Sequence, residues 1–325
     1  MLLLTERDVR QLLSMEDLIA AMHAALAEFS SGRVQQPLRT VLEIGEERAF
    51  FGVMPAHVPA SAALGTKLVT VFGSNTARGL PTHLATILLF DSETGELLSL
   101  MDGRFITEAR TAAVSAVSAK LLAREDASVL AVLGSGVQAR SHLIALCRAR
   151  SLKEVRVWSP TGQHRDDFAR DMRAETSAGI LPVNSAREAV AGADLIVLAT
   201  ASREPVIHNE WVGDGAHIMA VGACRPDQRE MDGALVARAR VFVDSRAGAT
   251  AEAGDLVLAI REGAFDAQRI AGELGELAAG VIPGRASPDE VTLFKSLGMA
   301  VEDVAAAHLA YRRATERGLG RGIPL

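Results

Sequence analysis

Apolar positions along this chain change their period twice. Residues 15–31 place Met15, Leu18, Ile19, Met22, Leu26 and Phe29 at helical spacing. That predicts a helix, with Ser14 as its cap and Gly32 past its end. From Pro37 to Asp102 the apolar runs shorten. Thr40–Ile44, Ala49–Met54, Thr66–Phe72, Ala85–Phe90 and Leu97–Met101 read as strands separated by glycine, proline or polar turns. Strands in close succession, with no helices between them, predict an antiparallel or mixed sheet. An Ala- and Ser-rich helix follows over 107–122 and bridges to a different pattern. Strand candidates at 128–133, 154–158, 180–183, 194–199, 216–222 and 240–244 alternate with helices. From Phe294 through Ala314 the spacing is helical again, and that segment is expected to return to the first domain. The predicted fold class is α/β. A Rossmann-type doubly wound parallel sheet covers 119–293, and a discontinuous α+β domain comprises 1–118 and 294–325.

One turn in the second region carries chemistry. Gly134-Ser135-Gly136-Val137-Gln138-Ala139 lies between the apolar run Ser128–Leu133 and a helix bearing Leu143, Ile144 and Cys147. Strand, G-x-G-x-x-A turn and helix make the dinucleotide fingerprint. The first glycine allows the tight turn, the second lets the backbone approach a pyrophosphate, and Ala139 lets helix and strand pack closely. The helix N-terminus offers unpaired N–H groups to the phosphates. A glycine turn serving only packing is the plainer alternative. Strand ends farther along add Thr200 and Val221 to the candidate cofactor contacts. The next strand ends Val157-Trp158-Ser159-Pro160-Thr161, with no carboxylate until Asp166. An acid there would bind the 2′-hydroxyl of NAD and repel a 2′-phosphate. Ser159, Thr161 and Arg165, with His164 beside them, instead suit a phosphate. NADP(H) is therefore favoured and NAD(H) possible, unless Arg165 is simply a solvated helix residue.

Composition narrows the partners. The formal net charge is −6, and Lys and Arg are dispersed along the chain. This is unlike the clustered basic stripe of a nucleic-acid surface. No apolar run reaches membrane-spanning length, and Met1–Asp8 turns acidic too early for a signal peptide. Cys147 and Cys224 are the two cysteines. Lone thiols without a spacing motif fit a reducing cytoplasm and give neither a disulfide framework nor a metal site.

Three cations stand where local pattern does not call for them. Arg39 opens a strand, Lys67 lies inside an otherwise apolar strand, and Arg110 lies in the Ala- and Ser-rich helix. Burying an unpaired charge is costly, so each needs an anion. A substrate carboxylate would serve all three, with Arg offering a fork and Lys a point charge. A protein carboxylate for each is the alternative. His83, between Thr82 and Leu84, is by itself more often a structural histidine.

Several segments together resemble one family. They are Gln36–Thr40, Gly52–Ala56, Thr66–Thr70, Pro81–Thr86, Met101–Gly103, Ile106–Ala113, Leu133–Ala139, Val221–Asp227 and Phe294–Asp303. Over nearly its whole length the sequence is similar to the ornithine cyclodeaminase/μ-crystallin family, nearest the ketimine reductase branch. The resemblance implies a homodimer whose first domain forms the interface and holds a small substrate. It implies that Arg39, Lys67 and Arg110 grip a substrate carboxylate as the catalytic-site cations. It also places His83, Arg110 and Thr111 near nicotinamide and substrate, with Ser296, Leu297 and Gly298 lining the same pocket. Glu252 matches an acidic position close to bound ligand.

Two departures bear on the activity. Cyclodeaminases and the related alanine dehydrogenases carry an aspartate where this chain has Cys224, and a neutral thiol is a poor carboxylate base. Members preferring NADP often carry Arg where this chain has Pro160. The expected activity is NAD(P)H-dependent reduction of a cyclic imine carboxylate, Δ1-pyrroline-2-carboxylate or Δ1-piperideine-2-carboxylate, to L-proline or L-pipecolate. Within the fold, the alternatives are an ornithine cyclodeaminase with bound NAD and an alanine-dehydrogenase-like enzyme. Outside enzymes, the alternative is an NADP-dependent small-ligand-binding protein.

Overall fold

The short β-branched runs become the strands of two separate sheets. A computed structural model describes residues 1–45 and 49–324. The chain divides into two units, Met1–Arg110 with Gly298–Leu325, and Thr111–Leu297.

In the first unit β1 (Leu2–Leu4) leads into α1 (Glu6–Leu12) and α2 (Met15–Ser30). The side chain of Ser14 accepts the Asp17 amide and caps α2. β2 (Thr40–Ile44), β3 (Ala49–Val58), β4 (Ala63–Val71), β5 (His83–Asp91) and β6 (Leu97–Asp102) follow. They form a mixed sheet in the order β1-β6-β5-β4-β3-β2, with a short strand Arg321–Gly322 beyond β1. β1 and β6 run parallel, and the other pairs are antiparallel. On β4, buried and half-buried positions alternate, so Ala63, Gly65, Lys67 and Val69 share the inward face. The C-terminal helix Ala300–Arg317 covers that face. A Cβ on Gly65 would lie 2.6 Å from the Leu88 carbonyl and 3.4 Å from Val304 Cγ2, so only glycine lets helix and sheet come this close.

α3 (Arg104–Leu122) carries the chain into the second unit. There β7 (Val129–Leu133), β8 (Glu154–Trp158), β9 (Gly179–Pro182), β10 (Leu195–Leu198), β11 (His217–Ala220), β12 (Arg240–Val243), β13 (Gly272–Glu273) and β14 (Thr292–Lys295) form one sheet. All are parallel, in the order β13-β12-β14-β11-β10-β7-β8-β9. Helices α4 (Val137–Ala149), α5 (Gly162–Asp171), α6 (Ala186–Val190), α7 (Gly233–Arg238), α8 (Arg246–Glu252) and α9 (Gly254–Arg261) accompany it. β10, β11 and β14 are buried at every position, as strands covered on both faces must be. The order reverses between β7 and β10, and an open α/β sheet takes its ligand at such a switch point.

The helical reading of the segment from Phe294 is corrected. Thr292–Lys295 is β14, held between β11 and β12, and the helix starts at Ala300. A short, fully buried strand has no period that separates it from a helix. Gly298, at φ +80°, lies between the two elements.

Candidate functional site

In the first unit the alternation of β4 forces Lys67 inward. It is 2% exposed, between Met54 on β3 and Ile87 on β5 in cross-strand register. Its ammonium lies 2.5 Å from Asp303 Oδ2. Arg110, at 4% exposure on α3, donates from Nε to Asp303 Oδ1 at 2.9 Å and from Nη1 to Glu302 Oε2. Both acids stand in the first turn of the C-terminal helix and are fully buried. Gln36 Oε1 accepts the Val301 amide at 2.7 Å and so helps fix that turn. A Cβ on Gly298 would collide with the Arg110 guanidinium.

Two cations and two carboxylates thus form one buried, charge-balanced cluster. Burial pulls the Lys67 ammonium down to about 8; Asp303 opposes this and Arg110 reinforces it. Burial disfavours the Arg110 charge as well, but Asp303 and Glu302 overcome it and hold the guanidinium firmly protonated. His83, at the start of β5, is pushed down to about 4 by burial and then by Lys67 and Arg110. It is therefore neutral at physiological pH.

Sequence reasoning singled out Lys67, Arg110 and His83, and the fold brings them together. It overlooked Glu302 and Asp303 as site residues. A signal was available, since two adjacent acids interrupt the apolar stripe of Val301, Val304 and Ala307. Of the two anion sources left open above, the protein's own carboxylates are present for Lys67 and Arg110. Both cations carry more N–H donors than these two acids engage. Arg39 stands half-buried ahead of the exposed edge strand β2.

In the second unit the candidate cofactor residues gather at the C-terminal ends of five strands. Gly134 follows β7 with φ +115°, and its amide donates to the Trp158 carbonyl at 2.7 Å. A Cβ there would strike the Ala199 carbonyl, so the turn is wedged between the ends of β8 and β10. A Cβ on Gly136 would meet open space. Gly136 also caps α4 without a side chain, which leaves the first amides of that helix to another acceptor. Ser135, Val137 and Gln138 are partly or fully exposed, and Ala139 is buried against the sheet. These residues fit a dinucleotide pyrophosphate.

Ser159 and Thr161 follow β8, and Arg165 reaches back to donate to the Ser159 carbonyl at 3.2 Å. Thr200 follows β10, and Val221 follows β11. Ser296 follows β14, its amide donating to the Ala220 carbonyl at 3.0 Å. Thr111 lies half-buried on α3, and Glu252 ends α8, also half-buried. Gly298 belongs to the first unit, beside Arg110. Cys147 and Cys224 are not in a disulfide. Among the described residues no helix is long and apolar enough to cross a membrane, and no group of side chains could hold a metal.

Known proteins extend this picture. The model of the ornithine cyclodeaminase/mu-crystallin family matches residues 1–318. Ketimine reductase mu-crystallin of Mus musculus is 46% identical over 297 residues, 90% of this chain and 91% of the mouse protein. The structure of Thermococcus litoralis Δ1-pyrroline-2-carboxylate reductase, in complex with NADH and L-proline, superposes with a TM-score of 0.97 at 40% identity. It covers 99% of this chain and all of the other. An archaeal alanine dehydrogenase dimer with bound NAD gives a TM-score of 0.95 at 33% identity, covering 100% of this chain and 99% of the other. Sequence and fold agree over essentially the full length, and the chain belongs to the ornithine cyclodeaminase/mu-crystallin family.

Proposed function

We propose that this chain is an NAD(P)H-dependent ketimine reductase. It reduces Δ1-pyrroline-2-carboxylate or Δ1-piperideine-2-carboxylate to L-proline or L-pipecolate. The observation that carries this reading is the full-length likeness to a pyrroline-carboxylate reductase, joined to a buried cation pair suited to a small carboxylate. The first unit binds the substrate carboxylate through Arg39, Lys67 and Arg110, with His83 beside them. A bound reduced nicotinamide supplies the hydride. Lys67, with a proton affinity brought close to neutrality, can hold or release a proton at Nζ. An already protonated imine asks less of it, because hydride addition then gives the amine directly. The chain must then orient the ring and tolerate its charge. Cys224 stands where cyclodeaminases use a carboxylate, and this favours reduction over deaminating cyclisation.

The second unit holds the cofactor through Gly134–Ala139, Ser159, Thr161, Arg165, Thr200, Val221 and Ser296, with Thr111, Gly298 and Glu252 as further ligand contacts. The absence of a carboxylate in 159–165 and the presence of Arg165 favour NADP(H). The first unit also forms a homodimer through its β2 edge. Leu38, Val41, Leu42 and Ile44 are all exposed there, an apolar edge of the kind that pairs with another chain. Two cysteines outside any disulfide suit a cytoplasmic setting.

The test is to mix purified protein with each imine and with NADPH or NADH, and to follow the reduced-nicotinamide absorbance. Turnover is expected with at least one imine, faster with NADPH. No turnover in all four combinations, or ammonia release from ornithine without added reductant, would sink the proposal.

A further inference from the structure

A second buried charge cluster lies wholly within the second unit. Lys295, the last residue of β14, is fully buried. Its ammonium donates to the Gly222 carbonyl at 2.5 Å and pairs with Asp255 Oδ2 at 3.0 Å. Asp255, in the first turn of α9, accepts the Glu230 amide on Oδ1 at 2.7 Å. Glu230, also fully buried, accepts the Thr200 amide on Oε1 at 2.6 Å. Its Oε2 has no hydrogen-bond partner among the described residues and lies 2.4 Å from where a Cβ on Gly222 would be.

Three neighbouring strand ends are therefore tied together. Glu230 holds the residue two past β10, Lys295 holds Gly222 two past β11, and Lys295 itself ends β14. An open parallel sheet receives its ligand at such ends. The Gly222–Cys224 turn is unusual in itself: Ala223 has φ +46°, a left-handed conformation that costs a non-glycine residue energy. Buried charges are a poor way to gain stability, and in some proteins they fix a geometry instead. Burial and then Asp255 raise the Glu230 carboxyl to about 7, with Lys295 opposing, so a second negative charge beside Asp255 is disfavoured.

We propose that Lys295, Asp255 and Glu230 are positioning residues that hold the Gly222–Ala223–Cys224 turn in the shape that receives the nicotinamide end of the cofactor. The pyrophosphate belongs to the Gly134 turn and the adenine end to the Ser159–Arg165 segment, and neither depends on them. This inference rests on the cofactor half of the proposed function and not on the imine.

The test compares NADPH with 2′-phospho-ADP-ribose, which shares its adenine end and lacks nicotinamide. Dissociation constants are measured by calorimetry on wild type, Lys295→Met and Glu230→Gln. In Lys295→Met the constant for NADPH is expected to rise at least about tenfold, and that for the truncated ligand less than about twofold. In Glu230→Gln, which keeps the acceptor for Thr200, the rise for NADPH is expected to be at least about threefold. If Lys295→Met does not fold, Glu230→Gln decides by itself. Equal weakening of both ligands, or unchanged NADPH binding, overturns the positioning role. Wild type binding neither ligand overturns the cofactor assignment instead. Failure to reduce either imine, with these binding differences intact, leaves the positioning role standing and removes only the substrate.

Discussion

Lys67 and Arg110 show how far single residues can be read from sequence. A cation inside an apolar strand, or on a small-residue helix, announces a buried charge, and both are buried. The partner was not legible, because Arg110 and Asp303 are 193 positions apart and only the tertiary fold joins them. The pairing makes Arg110→Ala a stability variant as well as a binding one. It removes the cation shared by two buried carboxylates and leaves Lys67 alone to balance Asp303, and the expected loss is about 3–5 kcal/mol, read by urea unfolding. A loss below about 1 kcal/mol would show that the acids find other partners. Lys67 gives a prediction in pH. With its proton affinity lowered to about 8, kcat/KM for the imine should fall as pH rises through about 8. Lys67→Arg should carry that limb to higher pH, and an unchanged limb would remove Lys67 from the proton chemistry.

Among elements, those with a strong local signal were the legible ones. The G-x-G-x-x-A turn, β2 through β8 and α2 follow from spacing and turn residues. β14 did not, since Thr292–Lys295 is short, fully buried and close to a helical stripe. β1 was also overlooked: its three residues are placed by pairing with β6 across almost a hundred positions. The Gly134 turn is the element most sensitive to change. Gly134→Ala would force a Cβ into the Ala199 carbonyl at a backbone angle that L-residues avoid. Isothermal titration should show cofactor affinity reduced at least about tenfold; wild-type affinity would refute the wedge. The β2 edge makes a complementary prediction. Leu42, 62% exposed, is proposed to meet a second chain. Leu42→Lys should convert a dimer to a monomer in sedimentation, and a monomeric wild type would remove the interface.

At the scale of the whole molecule, buried titratable groups oppose one another. His142 and His217 are fully buried in the second unit and held neutral, at about 4 and about 3, by burial above all. Their folded values lie below the ordinary 6.5. Stability from keeping them neutral is complete above about 6.5 and is lost as pH falls through about 4 and then 3. Glu230 acts in the opposite sense. Its folded value of about 7 lies above the ordinary 4.5, so its contribution is complete below 4.5 and lost as pH rises through 7. Thermal unfolding should therefore show wild type losing stability below pH 6, while Glu230→Gln differs from it by an amount that changes between pH 4.5 and 7. A pH-independent difference would show that Glu230 does not titrate there.

The split make-up of the first unit also sets an order of events during synthesis. Its sheet and its two buried cations leave the ribosome early, whereas Glu302 and Asp303 arrive after 193 further positions from Arg110 to Asp303. At translation rates of about 5–20 residues per second, Arg110 waits roughly 10–40 s for its counter-charges, and Lys67, made earlier, waits longer. Over that interval the nascent sheet lacks the helix that closes its inner face. The first unit is thus completed after the second, and a ribosome that stalls before Ala300 holds Lys67 and Arg110 without Glu302 and Asp303.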